Sequence, residues 1–332
     1  MSPPDASPPD ASPPDASPPD ASPSGASPSG ASPTEVHLPG VGARGVGPEQ
    51  AALLAWAAAA HRDLPWRRTR DPWGVLVSEA MLQQTQVARV VPKYHAFLER
   101  FPTPAACAAA SQGEVVTHWA GLGYNRRAVS LHRAATAIVA DHAGAVPDTL
   151  AELLTLPGVG PYTARAVLAF AFERDAAIVD TNVARVLARR AGRPLRPAEA
   201  QATADAWLPA GAAWAWNQGM LDLGAGLCTP RNPGCSGCPV AAGCAWATAG
   251  HPDPDPAVGS ARVSGGQSRF EGSDRQGRGR LVDALRRAPV DRAELAEVMG
   301  WPDDEARAAR VVGDLVAEGM VVVGGRRFSL AP

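Results

Sequence analysis

Lysine is almost missing from this chain of 332 residues: Lys93 is the only one, so nearly all of its 31 basic side chains are arginines. Imine chemistry, which needs a positioned amine, therefore has a single side-chain candidate, and no motif surrounds it. No run of about 18 apolar residues occurs, which excludes a membrane-spanning helix. A cationic start followed by an apolar core is also missing, so no secretion signal is read and a reducing, cytoplasmic compartment is expected. There is no strong excess of charge either, with a formal net charge of −2. That balance is uneven along the chain: residues 1–47 carry −4, residues 48–250 carry +3 and residues 251–332 carry −1. The middle holds arginine clusters at Arg126, Arg127 and Arg133, and at Arg185, Arg189, Arg190, Arg193 and Arg196. Such clusters favour phosphate.

Four domains of character follow. Residues 1–47 repeat SPPDA four times and SPSGA twice. A tail of this composition cannot bury enough apolar surface to offset its ordering entropy and is expected to be disordered. Residues 48–246 are alanine-rich, with apolar spacing of three or four and short Pro/Gly turns, which predicts helices throughout. Residues 247–279 are Pro/Gly-rich and predict a linker. Residues 280–332 predict three helices, the second with Asp291 and Glu294 in capping-box spacing, and then a hairpin turning at Gly324-Gly325. This last unit is winged-helix-like. Acidic side chains outnumber arginines on its longest helix, so packing or a partner suits it better than DNA reading.

The segment LPGVGPYTA (156–164) joins two apolar helical stretches through two glycines and two prolines. Gly158 and Gly160 permit positive φ and close approach, and Pro161 suits a first helical position. Free N–H groups and the helix dipole there would favour an anion, and the plainer alternative is a tight αα turn. Cys228, Cys235, Cys238 and Cys244 are spaced C-x6-C-x2-C-x5-C, with Cys107 apart. Four thiolates in one loop can hold an all-thiolate zinc or an iron–sulfur cluster, and the spacing alone leaves both open. Glu79, in WGVLVSEAMLQQTQV, is either a desolvated acid or a member of a wet stripe with Gln83 and Gln86. Asp180, in VDTN, is either a helix cap or a second acid.

Taken together, LPGVGPYTA, VDTN and the four-cysteine loop resemble the helix-hairpin-helix, iron–sulfur DNA glycosylases of the endonuclease III superfamily. LPWRRTRDPWGVLVSEAMLQQTQV (64–87) and WAGLGYNRRA (119–128) are similar to the MutY-type adenine glycosylases. The resemblance covers about residues 50–246. It implies an all-α fold of two helical subdomains with a [4Fe–4S] cluster on the four cysteines, followed by the small α+β unit. It implies a monomer that acts on double-stranded DNA, nucleoid-associated, and removes adenine mispaired with 8-oxoguanine or guanine. Glu79 would be the catalytic acid, Asp180 the second carboxylate and Asn182 its orienting partner. Tyr162 stands where bifunctional relatives carry a lysine, so strand cleavage through an imine is not expected. Arg62, Leu64, Trp66 and Arg67 would line the adenine pocket, with core packing the alternative for Trp66. Gln84, Thr85 and Tyr124 would sit near the opposing base, and Gly158 and Gly160 would grip a phosphate. The β-rich C-terminal domain usual in such enzymes is missing, and Arg275 and Arg278 are candidate phosphate contacts in the linker. A thymine glycosylase for G·T mispairs and a non-catalytic iron–sulfur regulator are the alternatives.

Overall fold

The computed structural model describes residues 46–260 and 269–332. Nearly all of the proposed tail, and part of the proposed linker, lie outside these residues. The helical region contains α1 (Pro48–Ala59), α2 (Pro72–Leu82), α3 (Val87–Arg100), α4 (Pro104–Ala109), α5 (Gln112–His118), α6 (Arg126–Asp141), α7 (Leu150–Leu153) and α8 (Pro161–Phe170). It continues through α9 (Thr181–Ala191), α10 (Pro197–Trp207), α11 (Ala213–Asp222) and the short α12 (Ala245–Thr248). The C-terminal unit has α13 (Asp274–Leu285), β1 (Val290–Asp291), α14 (Leu295–Met299), α15 (Glu305–Ala317), β2 (Val321–Gly324) and β3 (Arg327–Leu330). The strands form an antiparallel sheet in the order β1-β3-β2, with Val290 opposite Phe328 and Val323 also opposite Phe328.

Two hydrophobic cores explain the two helical subdomains. In the first, α2 is the central rod: every residue from Trp73 to Met81 is buried. Asp71 caps this helix by accepting from the N–H groups of Trp73 (3.3 Å) and Gly74 (2.8 Å), and Pro72 fills its first position. Each large apolar side chain buried along it contributes roughly 1.5–3 kcal/mol. The second core joins Leu53 of α1 to Val183, Val186 and Leu187 of α9, Trp207 of α10 and Trp216 of α11. The first helix of the region thus returns to the last ones.

The linker prediction for 247–279 needs correcting at its far end. Helix α13 starts at Asp274, where Ser273 caps by accepting from the Gln276 N–H. The glycines that argue for a loop are tolerated because the Trp301 ring lies over Gly277, in the space that a Cβ would take. At its near end, Asp255 pairs with Arg189 and Ala257 is buried. The C-terminal unit is not loosely tethered either. Its Leu281, Val282, Leu295, Val311, Leu315 and Phe328 are contiguous with the first core. The Gly113 N–H donates to the carbonyl of Ala331 at 2.8 Å, and Arg286 donates to Val116 O (3.0 Å) and Asn125 Oδ1 (2.9 Å).

Candidate active site

Glu79 lies on the wholly buried α2 and is itself 5% exposed. Burial pushes its carboxyl up to about 7, and the nearby negative charge of Asp180 pushes the same way. The Tyr162 hydroxyl, which donates to it, and the Arg67 guanidinium pull in the opposite direction and are outweighed. The buried-acid alternative therefore holds, and the wet stripe does not. Tyr162 reaches Glu79 because α2 packs on α8, whose second residue it is.

Asp180 caps α9, and its charge acts on Glu79. It stands at the N-cap of α9, where its Oδ1 accepts from the Val183 N–H at 2.7 Å. Its Oδ2 accepts from Asn182 Nδ2 at 3.1 Å. Burial raises its carboxyl above the usual range, and these hydrogen bonds restrain the rise. Asn182 is held in turn by Arg185, which donates to Asn182 Oδ1 (2.9 Å), Gly224 O (2.6 Å) and Cys228 O (2.6 Å). Gly224 sits in a π turn over 223–227, and a Cβ there would meet Asn182 Cβ at 2.7 Å. The turn can press on the start of α9 only because that position is glycine.

The segment 62–67 contributes less openly than expected. Arg67 is buried and makes a bidentate pair with Asp222 at 2.7 and 2.9 Å, while Arg62 approaches the same carboxylate at 3.7 Å. Trp66 is 7% exposed and meets Tyr94 edge-on at 5.5 Å, so it belongs to the core. Leu64 is half-buried against the same core. Asp222 has no signal in the sequence: it lies 155 residues from Arg67 and no local motif marks it.

The hairpin turn divides its two glycines. Gly158 has φ of 78° and a Cβ there would lie 2.5 Å from Ser130 Cβ, so it serves close packing on α6. Gly160 has φ of −95° and open space where a Cβ would be, at the N-terminus of α8. Positive φ is thus needed at one position, and open space lies at the other. Gln84 and Tyr124 both have positive φ, 54° and 46°, and Tyr124 is 42% exposed. Thr85 Oγ1 accepts from Arg127 at 3.0 Å. Lys93 on α3 lies under the same loop, its Cε 3.5 Å from where a Gly121 Cβ would stand.

The arginine clusters also need correcting. Arg127 gathers the carbonyls of Ala80 (2.8 Å), Met81 (2.8 Å) and Gln83 (2.6 Å) at the end of α2, and burial lowers its guanidinium to about 10. Arg133 donates to Glu318 O, Arg189 pairs with Asp255 and Arg190 with Glu49. Most of these side chains bind the fold together, because helix ends and buried acids take up their donors.

The four loop cysteines are unpaired by disulfides and line one small cavity, walled by Val186, Leu223, Leu227, Val240 and Trp246. Arg189 donates to Cys228 Sγ at 3.4 Å, and His251 Nε2 lies 3.3 Å from Cys235 Sγ. Among the described residues, no three Cys, His, Asp or Glu side chains are grouped so as to hold one metal ion.

Comparison with known proteins places the chain in a family. Residues 77–210 match the HhH-GPD superfamily of base excision DNA repair proteins. The adenine DNA glycosylase of Mycobacterium tuberculosis is 46% identical over 286 residues, 82% of this chain and 91% of the relative. A thermostable thymine-DNA glycosylase superposes with a TM-score of 0.56 at 30% identity, covering 60% of this chain and 94% of that one. A trapped endonuclease III–DNA covalent intermediate gives 0.54 at 25% identity, covering 61% and 95%. With a buried acid on α2, a capping carboxylate on α9 and identity running through most of its length, the chain belongs to the helix-hairpin-helix base excision repair superfamily, on its MutY-type adenine glycosylase branch.

Proposed function

We propose that this hydrolase, a monofunctional adenine DNA glycosylase of base excision repair, acts on adenine opposite 8-oxoguanine or guanine through Glu79 and Asp180. The observation that carries the mechanism is the Glu79 carboxyl, held near pH 7 in a dry site beside a second carboxylate. Adenine leaves poorly unless protonated. Glu79 in its acid form gives a proton to N7 of the extruded base, and the bond to the sugar breaks with its electron pair on adenine. Asp180 supports the positive charge that develops on the sugar. Glu79, now ionised and receiving a hydrogen bond from Tyr162, takes a proton from water as the water oxygen bonds to the sugar carbon. Tyr162 is a phenol and forms no imine, so an abasic site is left with the strand intact.

Support for a [4Fe–4S] cluster comes from the four cysteines lining one cavity and from the family to which the chain belongs. Cys228, Cys235, Cys238 and Cys244 would hold it. Bound there, the cluster would cross-link the loop that Arg185 ties to Asn182.

Single-turnover reactions test this reading with three duplexes: A opposite 8-oxoguanine, A opposite guanine, and T opposite guanine. Alkali-dependent breakage is expected at both adenines. Breakage only at thymine would replace this reading with the thymine glycosylase suggested by the structural neighbour.

A further inference from the structure

Beyond Cys244 the chain folds back toward the four-cysteine loop. Helix α12 is followed by two consecutive left-handed residues, Gly250 (φ 80°) and His251 (φ 62°). The His251 N–H closes this turn on Trp246 O at 2.9 Å, and Trp246 Nε1 donates to Pro252 O at 2.8 Å. Left-handed backbone costs a residue with a Cβ roughly 1–2 kcal/mol, which glycine avoids. His251 is exposed, so burial does not offset that strain.

Two contacts fix its imidazole. The ring meets the Trp246 ring edge-on, with centroids 4.6 Å apart, and Nε2 lies 3.3 Å from Cys235 Sγ. Trp246 itself walls the cavity that the four cysteines share. A thiolate that binds iron carries no hydrogen and can only accept, so the contact calls for the tautomer with hydrogen on Nε2. The same indole braces Arg189, whose guanidinium lies 4.6 Å from the Trp246 ring and donates to Cys228 Sγ at 3.4 Å. Arg189 also holds the carbonyls of Thr229 and Pro230 and the Asp255 carboxylate, so its removal would disturb the loop. The exposed His251 isolates the effect of one donor on one sulfur.

An N–H aimed at a ligating sulfur draws electron density from it and stabilises the electron added on reduction. We propose that His251 donates a hydrogen bond to the Cys235 ligand and thereby raises the one-electron reduction potential of the cluster. This inference rests on the [4Fe–4S] reading above. It is separate from the proton transfers at Glu79, and it assigns a purpose to a strained residue that base excision does not use.

Protein-film voltammetry on the full chain, at one pH and with the electrode supplying the electron, compares the wild type with His251→Phe and His251→Gln. Phenylalanine keeps an aromatic ring against Trp246 and over the sulfur, and has no donor. Glutamine offers an uncharged N–H and no ring. His251→Phe should lower the potential by roughly a tenfold shift in the one-electron equilibrium, about 59 mV, and His251→Gln should stay near the wild type. Iron content and melting should match the wild type in both variants, because position 251 is exposed. An unchanged potential in His251→Phe, or equal drops in both variants, would overturn the assignment. Loss of iron from either variant would make His251 a brace of the loop and overturn it as well. Iron and acid-labile sulfide in the wild type are scored separately. If both are present and His251→Phe keeps the wild-type potential, only the role of His251 fails; if neither is present, the cluster reading fails with it.

Discussion

Replacing Glu79 by glutamine should make the protein nearly inactive and, at alkaline pH, more stable. The carboxyl titrates at about 7 in the folded protein against an ordinary 4.5. Its folded pKa is raised, so stability is highest below pH 4.5 and is lost as pH climbs toward 7 and beyond. Each tenfold change in proton affinity between the folded and unfolded chain is worth about 1.4 kcal/mol. The full penalty is then about 3 kcal/mol, of which roughly 2.5 kcal/mol is incurred between about pH 5 and pH 8. Glutamine keeps the shape and never ionises. Melting measured for both proteins should show a gain for Glu79→Gln that is several degrees larger at about pH 8 than at about pH 5. Single-turnover base release should fall by about 10²–10⁴-fold. An equal melting gain at both pH values would mean that Glu79 is not a buried acid of raised pKa. Near-normal base release would refute its role in the reaction.

Base release by the wild-type protein should decline as pH rises through about 7, where the acid form of Glu79 is lost. Tyr162→Phe removes a hydrogen bond that favours the ionised form, so the decline should move to higher pH, read from a pH–rate profile. Tyr162→Lys should give an enzyme–DNA adduct trapped by borohydride, and the wild-type protein should give none; trapping in high yield by the wild type would contradict the monofunctional mechanism. Gly158→Ala should lose about 2 kcal/mol or more, because φ is 78° and Ser130 is in the way. Gly160→Ala should melt normally and bind DNA less tightly, which equilibrium binding would show.

What could be read in advance followed local pattern. The capping box at Asp291 and Glu294, the hairpin at Gly325 and the cap at Asp180 all depend on residues a few positions apart. Periodicity leaves the burial of Glu79 open because α2 is buried on every face and shows no stripe. Its chemistry came from the resemblance. The Arg67–Asp222 pair and the strand Val290–Asp291 join segments distant in the chain, and no spacing rule reaches that far. Helix α13 was hidden by Gly277 and Gly279; at Gly277 the Trp301 ring compensates for the missing side chain. The arginine clusters misled because composition counts charge and cannot say which carbonyl or carboxylate receives it.

The solitary Lys93 beneath the Tyr124 loop makes the protein an instrument for watching itself. With the α-amino group blocked, an amine-directed dye meets one side chain, set under the segment expected to enter the base stack. Thiol labels would instead attack the loop of four cysteines. Fluorescence from that single position can follow engagement and departure from a lesion in real time, in a chain whose sequence has not been altered.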